Sequence, residues 1–480
     1  MRWLKFLIAA LVVTAGVFVC HPSLDNDSWY VLAEGREIVE NGIYHEDQLS
    51  MHEGLEVTVQ NYGFSAIFYL IYSAFGSVGV YVGMLFLNLL LCYLIYKICI
   101  LLSNKNVNLS LIITILTDLL LSRWFIVTRA QMVSYCIIML VIYLLELYIR
   151  KDDKKYLWWI PLLSLVQINL HASLWPMILI VMGAYIIDSF GFKKLHLDKY
   201  KTKPLLLVLG ASFLVGFLNP YGYKMMTFIL TSYGVPEASD MIMELQAFRP
   251  LDDVFNVLLY LVIIVTLILY IFGKKQNIKM RWLILIFGFL VLGINTVKGM
   301  SYLILVLLFP LAGVYKDVVI GGKYRKQWWM VASWSGVLAL CTIVAVSIVQ
   351  IPKIVDGPNE KMIEVVNIID DDSNGKEKEK LKIYTGFNDG GFLEYRGYKP
   401  YIDSRMEVFI KANNGKEDIF KEYYDLEHGN ISKEDFLGKY DFDYLVVTES
   451  EKLFDLGGER YKMISENTDD GDKIRVYTKL

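Results

Sequence analysis

The residues of this chain best suited to chemistry are acids and cations placed at the ends of long apolar runs. Asp25 and Asp27, in Leu24-Asp25-Asn26-Asp27-Ser28-Trp29, directly follow the first such run. A carboxylate at a membrane surface is costly to keep there, and it is suited to handling a proton, a metal or a sugar hydroxyl. Asp27 is the leading candidate for a general base; its structural alternative is the N-cap of the helix that follows. Asp25 is the secondary acid, with a divalent metal as its candidate ligand. Asp47, in the pair Glu46-Asp47, can touch substrate or simply start a turn. Arg129, in Thr128-Arg129-Ala130-Gln131, stands at the mouth of an apolar run, where it can clamp a lipid phosphate or snorkel to head groups. Lys298, isolated between two short runs, has the same two readings. His171 is a substrate-contact candidate or a hydrogen-bonded structural histidine. Glu244 lies in the long 219–252 connection, from which it can reach a cavity lined by these candidates. Asp118 is the acid that the sequence places well inside a run, where a charge is functional by default. Asn388-Asp389-Gly390-Gly391 and Asp403-Ser404-Arg405 can bind an anion or sugar, or form tight turns.

Composition says what must position these groups. Hydrophobic residues make up 55% of the 480, which points to a polytopic α-helical membrane protein. Residues 351–480 carry 20 Lys/Arg against 29 Asp/Glu, leaving 27 against 21 for residues 1–350. A basic membrane body is therefore joined to an acidic tail, a balance that argues against nucleic acid as a partner. The five cysteines all fall in apolar segments, which disfavours a disulfide framework or a cysteine zinc site. No HExxH, Walker A or GxSxG pattern occurs.

Apolar runs at 3–20, 77–102, 107–124, 131–149, 156–170, 174–190, 204–218, 253–273, 281–297, 300–316 and 328–350 predict about 11 transmembrane helices. Arg2 and Lys5 stand at the start of the first run, but no small-residue cleavage site follows, so it is read as a retained helix. Alternate loops are rich in Lys and Arg, among them Arg150-Lys151, Lys193-Lys194 and Lys274-Lys275. The positive-inside rule then puts the N-terminus in the cytoplasm and the tail outside, in a multi-pass plasma-membrane protein.

Two outer segments predict more than simple loops. Residues 27–42 place Val31, Leu32, Gly35, Ile38 and Val39 on one helical face and Glu34, Glu37 and Glu40 on the other, as expected of an amphipathic helix lying on the membrane. Residues 61–75 are apolar, but fused to 77–102 they would make a helix of roughly 60 Å, twice the hydrocarbon thickness. A break at Gly76 and an interfacial 61–75 helix are expected. The organisation is thus a 1–350 transmembrane domain and a 351–480 extracytoplasmic domain. The latter reads as a small α/β fold, with strands at 382–385, 399–402, 444–447, 461–464 and 473–477 and helices at 416–427 and 432–440.

Asp27-Ser28-Trp29, Gly35-Arg36-Glu37-Ile38, Asp47-Gln48-Leu49-Ser50, Asn61-Tyr62-Gly63-Phe64 and Arg129-Ala130-Gln131 occur in that order. Asn169-Leu170-His171, Leu218-Asn219-Pro220-Tyr221-Gly222, Asp389-Gly390-Gly391 and Tyr401-Ile402-Asp403-Ser404-Arg405 follow. This series resembles a group of bacterial GT-C-like membrane proteins, over nearly the whole chain. More broadly it resembles GT-C membrane glycosyltransferases of the protein mannosyltransferase and aminoarabinose transferase type. The resemblance implies inverting transfer of a sugar from a polyprenyl-phosphate donor to an extracytoplasmic glycan, lipid or protein, with Asp27 as base. The pattern departs at Ser28, where characterised enzymes often carry Glu, and at Ala130, where relatives carry Pro; these positions bear on metal use and on the donor. Two other classes compete. A flippase for lipid-linked saccharides predicts polar residues spread through the spans, whereas here they cluster at outer ends. A non-catalytic envelope scaffold predicts that Asp27 serves only as a cap.

Overall fold

The computed structural model describes residues 2–20, 24–191, 200–232, 234–272, 279–317, 325–356, 360–456, 460–469 and 472–480. The basic stretches 192–199, 273–278 and 318–324, which carry part of the orientation argument, lie outside them. The chain forms two compact units, each discontinuous in sequence. The first takes Met1–Pro22, Tyr81–Met226 and Ile242–Pro352, and the second takes Ser23–Val80, Thr227–Met241 and Lys353–Leu480.

The first unit is helical. Across the described residues, six helices are long and apolar enough to cross a membrane: Tyr62–Leu102, Gln131–Lys151, Ala172–Ser189, Val254–Ile271, Val297–Val314 and Trp329–Val349. Shorter apolar helices at Trp3–Phe18, Val107–Ser122, Thr202–Phe217 and Met280–Asn295 cover four more of the expected runs. The run at 156–170 yields a helix, Trp159–Leu170, of only 12 residues, about 18 Å at 1.5 Å per residue and well short of a bilayer core. The Trp329–Val349 helix leaves most of its apolar surface uncovered, with Leu338, Ile348 and Val349 all largely exposed, as a lipid-facing helix would. The expected break falls at Gly76, whose φ of 63° and ψ of −163° interrupt the Tyr62–Leu102 helix.

Inside this unit lies an ion cluster that the sequence reading missed. Arg281 Nε is 2.8 Å from Glu146 Oε1, and its Nη1 is 2.9 Å from Asp188 Oδ2. All three side chains are fully buried, and the Tyr185 and Tyr200 hydroxyls donate to Glu146 and Asp188. A buried cation needs such partners, and these tie three helices together. Asp118 is buried as expected, but it accepts from the Asn88 amide and the Cys92 thiol.

The second unit contains the expected α/β fold. β1 (Lys382–Tyr384), β2 (Lys399–Pro400), β3 (Tyr444–Thr448), β4 (Tyr461–Asp469) and β5 (Asp472–Lys479) form a sheet of order β2-β1-β3-β5-β4. β1 runs parallel to β2 and β3, while β5 lies antiparallel between β3 and β4. The expected helices appear at Ile419–Glu427 and Lys433–Lys439.

The Asn26–Asn41 helix corrects one expectation. Its buried side runs through Ser28, Trp29 and 31–35, so Glu34 lies on it and Val39 does not. Protein covers this side. The short Gly390–Tyr395 helix packs on it, with the Trp29 and Phe392 rings 4.9 Å apart. A Cβ at Gly391 would come within 2.9 Å of the Tyr30 backbone nitrogen, so glycine permits the approach. Arg36 donates to the carbonyls of Glu394 and Tyr395, closing the C-terminal end of that short helix.

Candidate functional site

The start of the Asn26–Asn41 helix separates the two leading acids. Asp25 is the N-cap: its Oδ1 accepts from the Ser28 backbone N–H at 2.9 Å, and Ser28 Oγ accepts from the Asp25 N–H at 3.2 Å. This reciprocal pair satisfies donors that the helix itself leaves open. The cap expected at Asp27 is thus displaced two residues upstream, and Asp27 stands in the first turn, partly exposed. The spacing explains the shift, because Ser28 at the third helical position can close the box only with residue 25.

Asn26, beside it, lines a cavity of about 390 Å³ in the second unit. Its walls include Asn388, Asp389, Tyr423, Glu427 and Glu451, residues gathered from the Asn-Asp-Gly-Gly segment, the Ile419–Glu427 helix and the turn after β3. Burial pushes the Asp389 carboxyl up to about 6, against the opposing charge of Lys361. Burial also raises Glu451 well above the carboxylate range, despite a hydrogen bond from the Thr448 N–H, and the charges of Asp389 and Glu427 add to the rise. With Glu449, four acids line this cavity, which suits a ligand that donates hydrogen bonds, such as a polyol. Of these four, only Asp389 lay in a segment marked by the sequence. The glycines after it gave the signal, although they also serve packing: a Cβ at Gly390 would lie 2.0 Å from the Ile402 carbonyl oxygen.

Asp47 belongs to a buried cluster in the same unit. Its Oδ1 is 2.8 Å from Arg405 Nη1, and its Oδ2 accepts from the Ser50 N–H at 2.9 Å. Arg405 also pairs with Asp403 and Glu394, at 2.8 and 2.7 Å. Burial alone would raise Asp47, but Arg405 and the Ser50 hydrogen bonds hold it below the usual range. The side chain is 0% exposed, so the substrate contact expected at Asp47 gives way to a turn and a buried ion pair. Glu34 belongs to the same surroundings. Ser65 Oγ donates to it at 3.2 Å, and burial pushes it up to about 8 against the pull of Arg405.

In the first unit, the remaining candidates converge. Arg129 Nη1 lies 2.6 Å from Glu244 Oε1, and Lys298 Nζ lies 3.8 Å from Glu244 Oε2. The turn that carries Arg129 is pinned by Gln131, whose amide donates to the Phe125 carbonyl. Thr296 caps the Val297–Leu307 helix through the Gly299 N–H and so sets Lys298 in its first turn. The 243–245 turn is fastened to this corner by Val297 N–H to Gln246 O and Phe248 N–H to Ile294 O, at 2.9 and 3.2 Å. All three charged side chains keep a quarter or more of their surface exposed. Two cations side by side can hold a phosphate oxygen, and Arg129 can do so with a fork. His171 is close enough for the Lys298 charge to act on it, yet both ring nitrogens are engaged, with Ser134 Oγ and Ser173 Oγ each at 2.8 Å. Gln167 donates to both Ser134 Oγ and the His171 carbonyl. This is a positioning network at the end of the Trp159–Leu170 helix.

Among the described residues, no group of three or more His, Cys, Asp or Glu side chains is arranged to hold a metal ion. The Asp25 carboxylate is instead occupied by its cap. No family model matches the chain, and no curated protein matches it.

Proposed function

We propose that this chain is a GT-C-like membrane glycosyltransferase of about 11 spans, acting on the outer face of a plasma membrane. It moves a sugar from a polyprenyl-phosphate donor to an extracytoplasmic glycan, lipid or protein acceptor, with inversion. The observation that carries the reading is the division of labour at the start of the Asn26–Asn41 helix. Asp25 serves the cap, and Asp27, in the first turn, follows Asn26, which lines an acid-walled cavity. Asp27 takes the proton of an acceptor hydroxyl, and that oxygen attacks the anomeric carbon of the donor sugar. The bond from this carbon to the phosphate oxygen breaks, and its electron pair leaves on the phosphate. In the first unit, Arg129 and Lys298, brought together on Glu244, are the pair suited to neutralise a lipid phosphate. Asp389, Glu427 and Glu451 orient the acceptor by accepting from its hydroxyls.

The test is transfer of labelled sugar in membranes supplied with polyprenyl-phosphate donor. Asp27→Asn should lower transfer by roughly 10²–10⁴-fold while leaving the protein folded and inserted. Full transfer by that variant would rule this mechanism out.

A further inference from the structure

The first unit holds a second cavity, of about 360 Å³, that the proposed transfer does not use. Its lining brings together Arg150, Lys279, Arg281 and Lys316, with Trp282 and Phe309 as an apolar wall. These residues come from the ends of different helices. Arg150 lies in the last turn of the Gln131–Lys151 helix, and Lys279 is the residue before the Met280–Asn295 helix. Lys316 follows the Phe309–Val314 helix, and the Tyr62–Leu102 helix contributes its last residue, Leu102. A cavity ringed by the ends of apolar helices lies at the depth where a bilayer changes from hydrocarbon to head groups. Its lining carries four cationic side chains against one carboxylate, Glu146. Glu146 and Asp188 hold Arg281, and Arg150, Lys279 and Lys316 line the cavity beside it.

Scattered basic residues at helix ends ordinarily snorkel to water singly. Here they converge on one concavity with a buried aromatic floor: Trp282 and Phe309 are 2% and 1% exposed, with ring centroids 5.5 Å apart. A cationic rim at the ends of apolar helices matches a phosphodiester held at a membrane surface more closely than it matches a freely soluble anion. We propose that this cavity is a binding site for the head group of an anionic phospholipid, on the membrane face opposite the one assigned to sugar transfer. Arg281 forms the rigid back of the site, and Arg150, Lys279 and Lys316 grip the phosphate. The basic loops place this face on the cytoplasmic side, where anionic lipids bind polybasic sites most strongly.

The experiment uses the full-length protein in nanodiscs, comparing phosphatidylcholine alone with phosphatidylcholine containing phosphatidylglycerol. Lipid retained after detergent extraction is read by native mass spectrometry. The wild type should retain phosphatidylglycerol selectively. The triple variant Arg150→Gln, Lys279→Gln, Lys316→Gln should bind it about a hundredfold more weakly, the effect of three interfacial cations. The variant Lys154→Gln, Lys155→Gln removes basic residues of the neighbouring turn that do not line the cavity, and should bind as the wild type does. Equal retention by the triple variant, or equal loss in the control variant, would overturn the proposal. Inorganic phosphate is a further arm: if it displaces the lipid at low millimolar concentration, the site takes free phosphate and the lipid assignment falls. Because Arg281 is untouched, near-native unfolding of the triple variant in phosphatidylcholine alone would show that its defect lies in binding.

Discussion

Arg405 and Asp47, 358 positions apart, form a fully buried ion pair of 2.8 Å. The pair fastens the segment after the Asn26–Asn41 helix to the turn that follows β2. Arg405 pairs with Asp47, Asp403 and Glu394, so its removal would strand buried carboxylates. Arg405→Met should therefore destabilise the second unit by about 3–5 kcal/mol, the cost of breaking a buried pair from one side. Asp47→Asn should cost less, since the remaining acids still hold the guanidinium. Limited proteolysis in detergent against temperature would order the two variants, and a neutral Arg405→Met would show that the cluster does not hold the unit together.

Glu34 should give this unit a dependence on pH. Its carboxyl lies at about 8 in the folded protein and at an ordinary 4.5 when exposed. Between these values the unfolded chain releases the proton while the folded chain keeps it, so the Glu34 contribution falls as pH rises from 4.5 toward 8 and then levels. Glu34→Gln removes this term. The variant should match the wild type near pH 4.5 and exceed it at pH 8 by about 2–4 kcal/mol. Parallel unfolding curves for the two proteins across this range would refute the assignment of a neutral Glu34.

The two acids at the helix start should separate by phenotype. Asp25→Ala removes the cap and should cost about 1 kcal/mol of stability, with transfer per folded molecule largely kept. Asp27→Asn should leave stability within about 0.5 kcal/mol and lower transfer by roughly 10²–10⁴-fold. A transfer assay normalised to folded protein distinguishes them, and the opposite pattern would move the base to Asp25.

For the donor side, Arg129→Gln and Lys298→Gln should each weaken transfer by about 10- to 100-fold, the range of a charge-assisted hydrogen bond. Arg129→Lys should restore only part of the loss, because an ammonium lacks the fork. Glu244→Gln loosens both cations and should mainly raise KM for the donor. Additive effects of Arg129→Gln and Lys298→Gln in a double-mutant cycle would indicate that the two do not share one phosphate.

Periodicity and composition determined much of this protein in advance. Runs of apolar residues give long helices because backbone groups in lipid must be satisfied within the segment, and glycine at residue 76 permits the positive φ that breaks one of them. The α/β tail was equally legible, since alternation and turn residues act locally. What the sequence could not assign was which charges meet. Asp25 took the cap from Asp27 because Ser28 closes the box three residues on, and Glu34 lies inside because the Gly390–Tyr395 helix covers that side. Asp47 found Arg405, and Arg281 found Glu146 and Asp188, across separations that no local pattern encodes. Only tertiary structure decides such partnerships: a buried charge is tolerable where an opposite one has been brought to it, and that depends on the packing of distant segments.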